Sequence, residues 1–218
     1  MFAVIFEVQP KKGRFDEYLS LAKYLKPELE KIDGFMDNER FGSRRTDGRI
    51  LSLSIWRDEK ALVRWRTLGV HHEVQEKGRL QVFEDYHLRV GEITADTHLP
   101  EGETLAEHRL DVTEVGAAKV VTISELTDRT DLARDLGLPE ASAFGLVDHE
   151  VYDSIYNPGK ALLLASWRDA EAASHWRAKF RGSHSGEARR RQVRVIRDYG
   201  MSDRREAPQY YPPVRGAS

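Results

Sequence analysis

A chain of 218 residues, 40% hydrophobic and 32% charged, describes an ordinary globular protein, long for one domain and comfortable for two of about 100 residues each. Its net charge of -2 supplies no electrostatic ground for nucleic acid or an acidic membrane as partner, and zero cysteines exclude disulfides, thiolate metal sites and cysteine nucleophiles. The apolar run Met1 to Val8 is too short for a signal peptide and lacks a basic leader, so a cytoplasmic, unanchored protein is expected.

Phe2 to Gln9 is apolar and β-rich, and Pro10 and Gly13 punctuate the turn after it. Apolar residues at helical spacing from Phe15 to Leu29 predict an amphipathic helix over 14–32, with Pro27 disturbing its last turn and Gly34 ending it. Phe35 to Arg44 and Ile50 to Trp56 flank Thr46-Asp47-Gly48-Arg49 and read as a hairpin. Asp58 is the expected N-cap of a helix to Leu68. A short helix from Val70 to Gly78 and a strand from Val82 to Ile93 follow. Thr94 to Gly116, acidic and containing Pro100 and Gly102, reads as a linker. The same order then returns: strand Ala118 to Leu126, a brief helix Thr130 to Leu136, a hairpin of Ala143 to Tyr152 and Ala161 to Trp167, a helix capped by Asp169, and a strand Gln192 to Tyr199. The tail from Ser202, with Pro208, Pro212 and Pro213, is expected to lie extended and ordered against the body.

The return is also visible residue by residue. Ser54, Trp56-Arg57-Asp58, Ala61 and Trp65-Arg66 recur as Ser166-Trp167-Arg168-Asp169, Ala172 and Trp176-Arg177, and all four tryptophans fall in these copies. His71 precedes Tyr86 by fifteen residues, as His184 precedes Tyr199, with Asp85 and Asp198 before the tyrosines. This predicts an internal duplication: domains at 1–93 and 117–201, a linker at 94–116 and a tail at 202–218. Each βαββαβ unit is an α+β, ferredoxin-like split βαβ with one bare sheet face. Two copies cover their bare faces by packing sheet to sheet within one chain, over residues such as Val4, Phe6, Leu51, Leu53, Val121 and Ile123. A monomer with this internal pseudo-dimer or a homodimer both satisfy the pattern.

The run Ser54 to Arg66, with His71, Gln75, Gly78-Arg79, Phe83 and Asp85 to Val90, resembles the antibiotic biosynthesis monooxygenase family, and Val193 to Pro212 resembles the end of a second such domain. The resemblance covers nearly the whole chain outside the linker and tail. It implies a dimeric α/β barrel with a pocket between sheet and helices in each copy. Some members are cofactor-free quinone-forming oxygenases, some degrade heme, and some have no established reaction.

The candidate catalytic residues are His71, Trp65 and Tyr86, with His184, Trp176 and Tyr199 as second-copy counterparts. A neutral imidazole can take a proton from a phenol or carbon acid, an indole offers a flat wall and one N–H, and a phenol can donate to a developing oxyanion. Each also has a structural reading, as helix-end order or core packing. Six residues along an unbroken helix would turn His71 about 240° away from Trp65, so a shared site requires a break, expected at Gly69 through a left-handed conformation. The other histidines, among them His72 and His87, are expected in solvent. No His/Asp/Glu spacing suggests a metal site and no glycine-rich loop suggests a nucleotide. By the resemblance, the expected function is a cofactor-independent monooxygenase acting with O2 on a small electron-rich aromatic, phenolic or polyketide-like molecule. A non-catalytic ligand-binding or structural role is the alternative. Heme fits less well, because the family's axial histidine lies further beyond the tryptophan than His71 or His184 does. The first copy, with the longer first helix, is expected to keep the better pocket.

Overall fold

The structure is a computed structural model that describes residues 1–127, 138, 143–179 and 188–209, residues 143 and 177–179 by backbone alone. The expected helix at Thr130 to Leu136, His184 and the tail from Tyr210 lie outside the described residues. The elements are β1 (Phe2–Pro10), α1 (Phe15–Glu30), β2 (Phe35–Ser43), β3 (Ile50–Trp56), α2 (Glu59–Thr67), α3 (Gly69–Lys77), β4 (Phe83–Asp96), β5 (Val120–Thr127), β6 (Leu146–Ser154), β7 (Lys160–Trp167), α4 (Ala170–Lys179) and β8 (Arg189–Gly200). A single π-helical turn, Gly78–Val82, joins α3 to β4. No helix among the described residues is long and apolar enough to cross a membrane.

All eight strands form one closed antiparallel barrel in the order β1-β3-β2-β6-β7-β5-β8-β4. Each half supplies four neighbouring strands, in the ferredoxin-like order. The halves meet edge to edge: β2 on β6 over a short stretch from Phe41↔Ser154 to Ser43↔Tyr152, and β4 on β8 from His87↔Gly200 to Asp96↔Arg191. Edge pairing satisfies the backbone groups that two separate sheets would leave exposed, and eight tilted strands enclose a space that side chains fill. Close approach at the long seam needs Gly91, where an added Cβ would fall 2.3 Å from the Arg194 carbonyl oxygen.

Leu51, Leu53, Val121 and Ile123 point into the barrel, as expected. Val4 and Phe6 do not. They sit on the outer face of β1, under the helices, while Ala3, Ile5 and Glu7 take the inward positions. With strict alternation one face of β1 must turn inward. A small alanine and a charged glutamate disguise which face it is.

The inward charges are paired. Glu7 accepts from Arg89 Nη2 at 2.5 Å and from the Tyr152 hydroxyl at 2.6 Å, and Arg89 Nη1 donates to Ser166 Oγ at 2.7 Å. Glu125 and Arg191 form the same pair in the second half. Glu7 lies opposite His87 in β4, and Glu125 lies opposite Arg189 in β8. Arg191 therefore corresponds to Arg89, and the position of Tyr86, opposite Val8, corresponds to Ala188. Tyr199 does not occupy the position equivalent to Tyr86: it pairs with Leu88, beside Tyr86 itself, at the opposite end of β8 from Ala188.

The segment between the halves is pinned rather than loose. The fully buried Glu92 carboxylate accepts from the backbone N–H groups of His108 and Arg109, at 2.7 and 3.1 Å. Glu206 accepts from Thr113 Oγ1, Glu114 N and Asp198 N, tying segment, tail and β8 together. Within the basic cluster, Arg189 and Arg191 pair with Asp96, and Arg194 with Glu107.

Candidate active site

The outer face of the first half carries a layer of apolar side chains beneath α1, α2 and α3. α2 begins where Asp58 caps it, its carboxylate accepting from Ala61 N at 2.8 Å. It ends at Leu68, which is extended (φ -65°, ψ 127°). The break thus falls one residue before the expected one. It needs no left-handed glycine, since Gly69 has an ordinary φ and opens α3. The extended Leu68 redirects the chain so that the His71 ring stacks on the Trp65 indole, with centroids 4.0 Å apart and planes at 17°.

His71 Nδ1 lies 3.0 Å from the Trp65 carbonyl oxygen. That oxygen only accepts, so Nδ1 carries the proton and Nε2 keeps the lone pair. Burial against the indole depresses the imidazole from its ordinary 6.5 to about 4, overcoming the opposing pull of the Trp65 carbonyl. The ring is neutral at pH 7, in one tautomer, with a proton-accepting nitrogen available.

Below these rings lies the sheet. Phe2, Trp56 and Val90 are buried in the cluster that Trp65 packs against, whereas Val4 and Leu88, which also touch it, stay half-buried. Leu88 belongs equally to the neighbouring cluster of Val8, Tyr18, Tyr86 and Tyr199, and so connects the Trp65 and Tyr86 regions. Phe6 contacts both Tyr86 and Phe83, at 5.7 and 5.8 Å between centroids. Gly78 of the π turn permits the Phe83 placement, since a Cβ there would meet the ring at 2.6 Å.

Tyr199 reaches this layer from the second half. Burial and the Tyr86 phenol push its hydroxyl up to about 12, against the opposing charges of Arg66 and Arg204. The chain then folds back over the first half. Met201 N donates to the Tyr86 carbonyl at 3.1 Å, Arg204 donates to the Tyr86 hydroxyl, Ala207 packs on the tyrosine cluster, and Arg66 Nη1 reaches the Gln209 carbonyl at 3.4 Å.

A cleft of about 510 Å³ adjoins this layer at one end of the barrel. Tyr86 and Tyr199 line it together with Glu7, His87, Arg89 and Asp198, while Trp65 and His71 do not. His87 is exposed, as expected, yet it has partners. Its Nε2 is 2.7 Å from Asp198 Oδ1 and its Nδ1 is 3.6 Å from Glu7 Oε2. Burial alone would push the Glu7 carboxyl up, but Arg89, the Tyr152 hydroxyl and His87 together hold it below the ordinary glutamate value. These four polar residues escaped the sequence reading. The outward run Tyr86, Leu88, Val90 already places His87 and Arg89 inward, and an inward charge in a barrel demands a partner.

The second half keeps its two tryptophans together. Trp176 packs on Trp167, with ring centroids 5.4 Å apart at 29°, and both are buried among alanines of α4 and the inner hairpin. Trp176 and Tyr199 are not brought together. Among the described residues no group of three His, Asp or Glu side chains is placed to hold a metal.

The profile described as "Antibiotic biosynthesis monooxygenase" matches residues 1–77. A protein of Pyricularia oryzae named "Jasmonate monooxygenase ABM" is 47% identical over 223 residues, spanning 98% of this chain and 100% of that one. A putative monooxygenase from Lactobacillus acidophilus covers 90% of this chain and 94% of its own at 10% identity and a TM-score of 0.41. One from Fusobacterium nucleatum covers 90% and 93% at 12% identity and a TM-score of 0.38. With near-half identity sustained along the full length of both the chain and its fungal relative, the protein belongs to the antibiotic biosynthesis monooxygenase family.

Proposed function

We propose that the protein is a cofactor-independent monooxygenase whose substrate is a small amphipathic acid of the jasmonate type, oxidised with O2 at the first half's helix–sheet layer. The full-length likeness to a relative named for jasmonate carries the substrate class. The layer supports it with half-buried Val4, Phe6, Leu88 and Trp65, an apolar floor that is not fully covered.

The chemistry assigned to the residues follows from charge. A CH2 beside a ketone, or between aryl groups, loses a proton to give an anion able to pass an electron to O2. His71 Nε2 is the acceptor in this reading. Depressed to about 4, it is a weak base alone, but a carbanion forming beside it raises its affinity for the proton by direct attraction. The Tyr86 hydroxyl lies at the same layer to donate to the enolate oxygen. The balance then closes on substrate and oxygen: CH2 + O2 → C=O + H2O, both electron pairs coming from the carbon. Hydroxylation of an unactivated carbon instead yields C–OH and H2O only with two further electrons from a reductant.

The test incubates purified protein with jasmonate under 18O2, with and without reduced nicotinamide, and follows products by mass spectrometry. The expected result is a product carrying one 18O atom without added reductant. Turnover that requires the reductant overturns the cofactor-independent chemistry. No oxygenated product under either condition overturns the assignment.

A further inference from the structure

The chain that folds back over the first half brings Arg204 to the edge of the apolar layer, where Arg66 of α2 meets that chain. Arg204 donates to the Tyr86 hydroxyl, and its guanidinium carbon lies 6.0 Å from the centre of the Tyr199 ring. Arg66, one residue beyond Trp65 on α2, contacts the same returning chain at the Gln209 carbonyl. Both act electrostatically on the Tyr199 phenol, so they share one small region. Among the described residues neither is in an ion pair. The acids that flank Arg204 in sequence are otherwise engaged: Asp203 with Arg205, and Glu206 with Thr113 and the backbone of residues 114 and 198. Two guanidinium groups outside any ion pair among the described residues, beside the Tyr86 and Tyr199 phenols, form an anion seat at the edge of the apolar layer.

We infer that Arg204 and Arg66 bind the carboxylate of the substrate, with its apolar body over Tyr86, Leu88 and Trp65. This rests on the proposed acid substrate and adds the residues that select it. A planar carboxylate matches the guanidinium fork in two parallel hydrogen bonds, which an ester lacking the charge does not reproduce. Arg204 comes from the C-terminal segment and Arg66 from α2, so the acid also holds that segment against the first half.

Calorimetric titration with jasmonate and with its methyl ester tests the assignment in the wild type, R204Q, R66Q and R204K. The expected pattern is tighter binding of the acid than of the ester by the wild type. Each glutamine variant should lose about 10- to 100-fold in affinity for the acid, the scale of a charge-assisted hydrogen bond, with ester binding unchanged. R204K should fall between. Equal affinity for acid and ester in the wild type, equal weakening of both by R204Q and R66Q, or binding of neither ligand would overturn the inference. The product assay is separate. Arginine-dependent binding of the acid without oxygenation leaves the carboxylate seat standing and removes the oxygenase reading.

Discussion

Replacing His71 by leucine removes one titrating group from a stacked position and makes a double pH dependence measurable. The ring is depressed from 6.5 to about 4 by its burial against Trp65. Between those values the unfolded chain binds a proton that the native protein does not. Stability is therefore full above pH 6.5 and is lost as pH falls toward 4. Taken whole, the shift corresponds to about 3 kcal/mol. His71 is half-buried, and relaxation around the charged ring recovers part of that, so roughly 1–2 kcal/mol is expected. Urea unfolding of wild type and His71→Leu at pH 7 and pH 4 supplies the four free energies. The loss on acidification should be smaller in the variant by that amount, because leucine has nothing to protonate. The same ring predicts an acid limb of kcat/KM near pH 4 rather than 6.5, and a fall in turnover of about 10²-fold or more in the variant. Identical acid sensitivity in both proteins would refute the buried, neutral imidazole, and unchanged turnover would refute its part in the chemistry.

Arg89→Met strands the inward Glu7 carboxylate and should cost about 3–5 kcal/mol at pH 7 in denaturant unfolding. The deficit should shrink as pH falls and the unpaired Glu7 protonates, and Glu7→Gln added to Arg89→Met should restore most of it. Gly91→Ala drives a Cβ into the Arg194 carbonyl across the long seam, and thermal unfolding should show a loss of at least about 1–3 kcal/mol. Asp58→Ala removes the cap on α2 and should cost about 1 kcal/mol, while Asp58→Asn keeps most of it.

Much of this fold was legible because its periods are simple. Alternation in Ile50 to Trp56 and helical spacing after Asp58 locate elements to within a residue or two, and duplicated tryptophans locate the repeat. What misled was a local coincidence. Asp-Tyr occurs at 85–86 and again at 198–199, and the second pair lies at the far end of its strand. The charges carry the true correspondence, Glu7 with Arg89 and Glu125 with Arg191, but that pairing emerges only when strands 1 and 4, and 5 and 8, are set side by side. The Trp65–His71 contact was readable as a need for a helix break. The residue that breaks was not, because an extended Leu68 has no signature in its side chain. The return of Arg204 and Ala207 over Tyr86 depends on contacts more than a hundred residues apart, which no local pattern records.

Tyr199, Met201 and Arg204 belong to the C-terminal half yet furnish the wall of the N-terminal half's layer. Neither half is self-sufficient, and a cut ahead of Tyr199 would open the first site while leaving its own helices untouched. In a dimer of identical subunits, every change is made twice and both sites must tolerate it. Fusion lifts that restriction. One half is free to become a lending partner, held by selection through what it contributes to its neighbour.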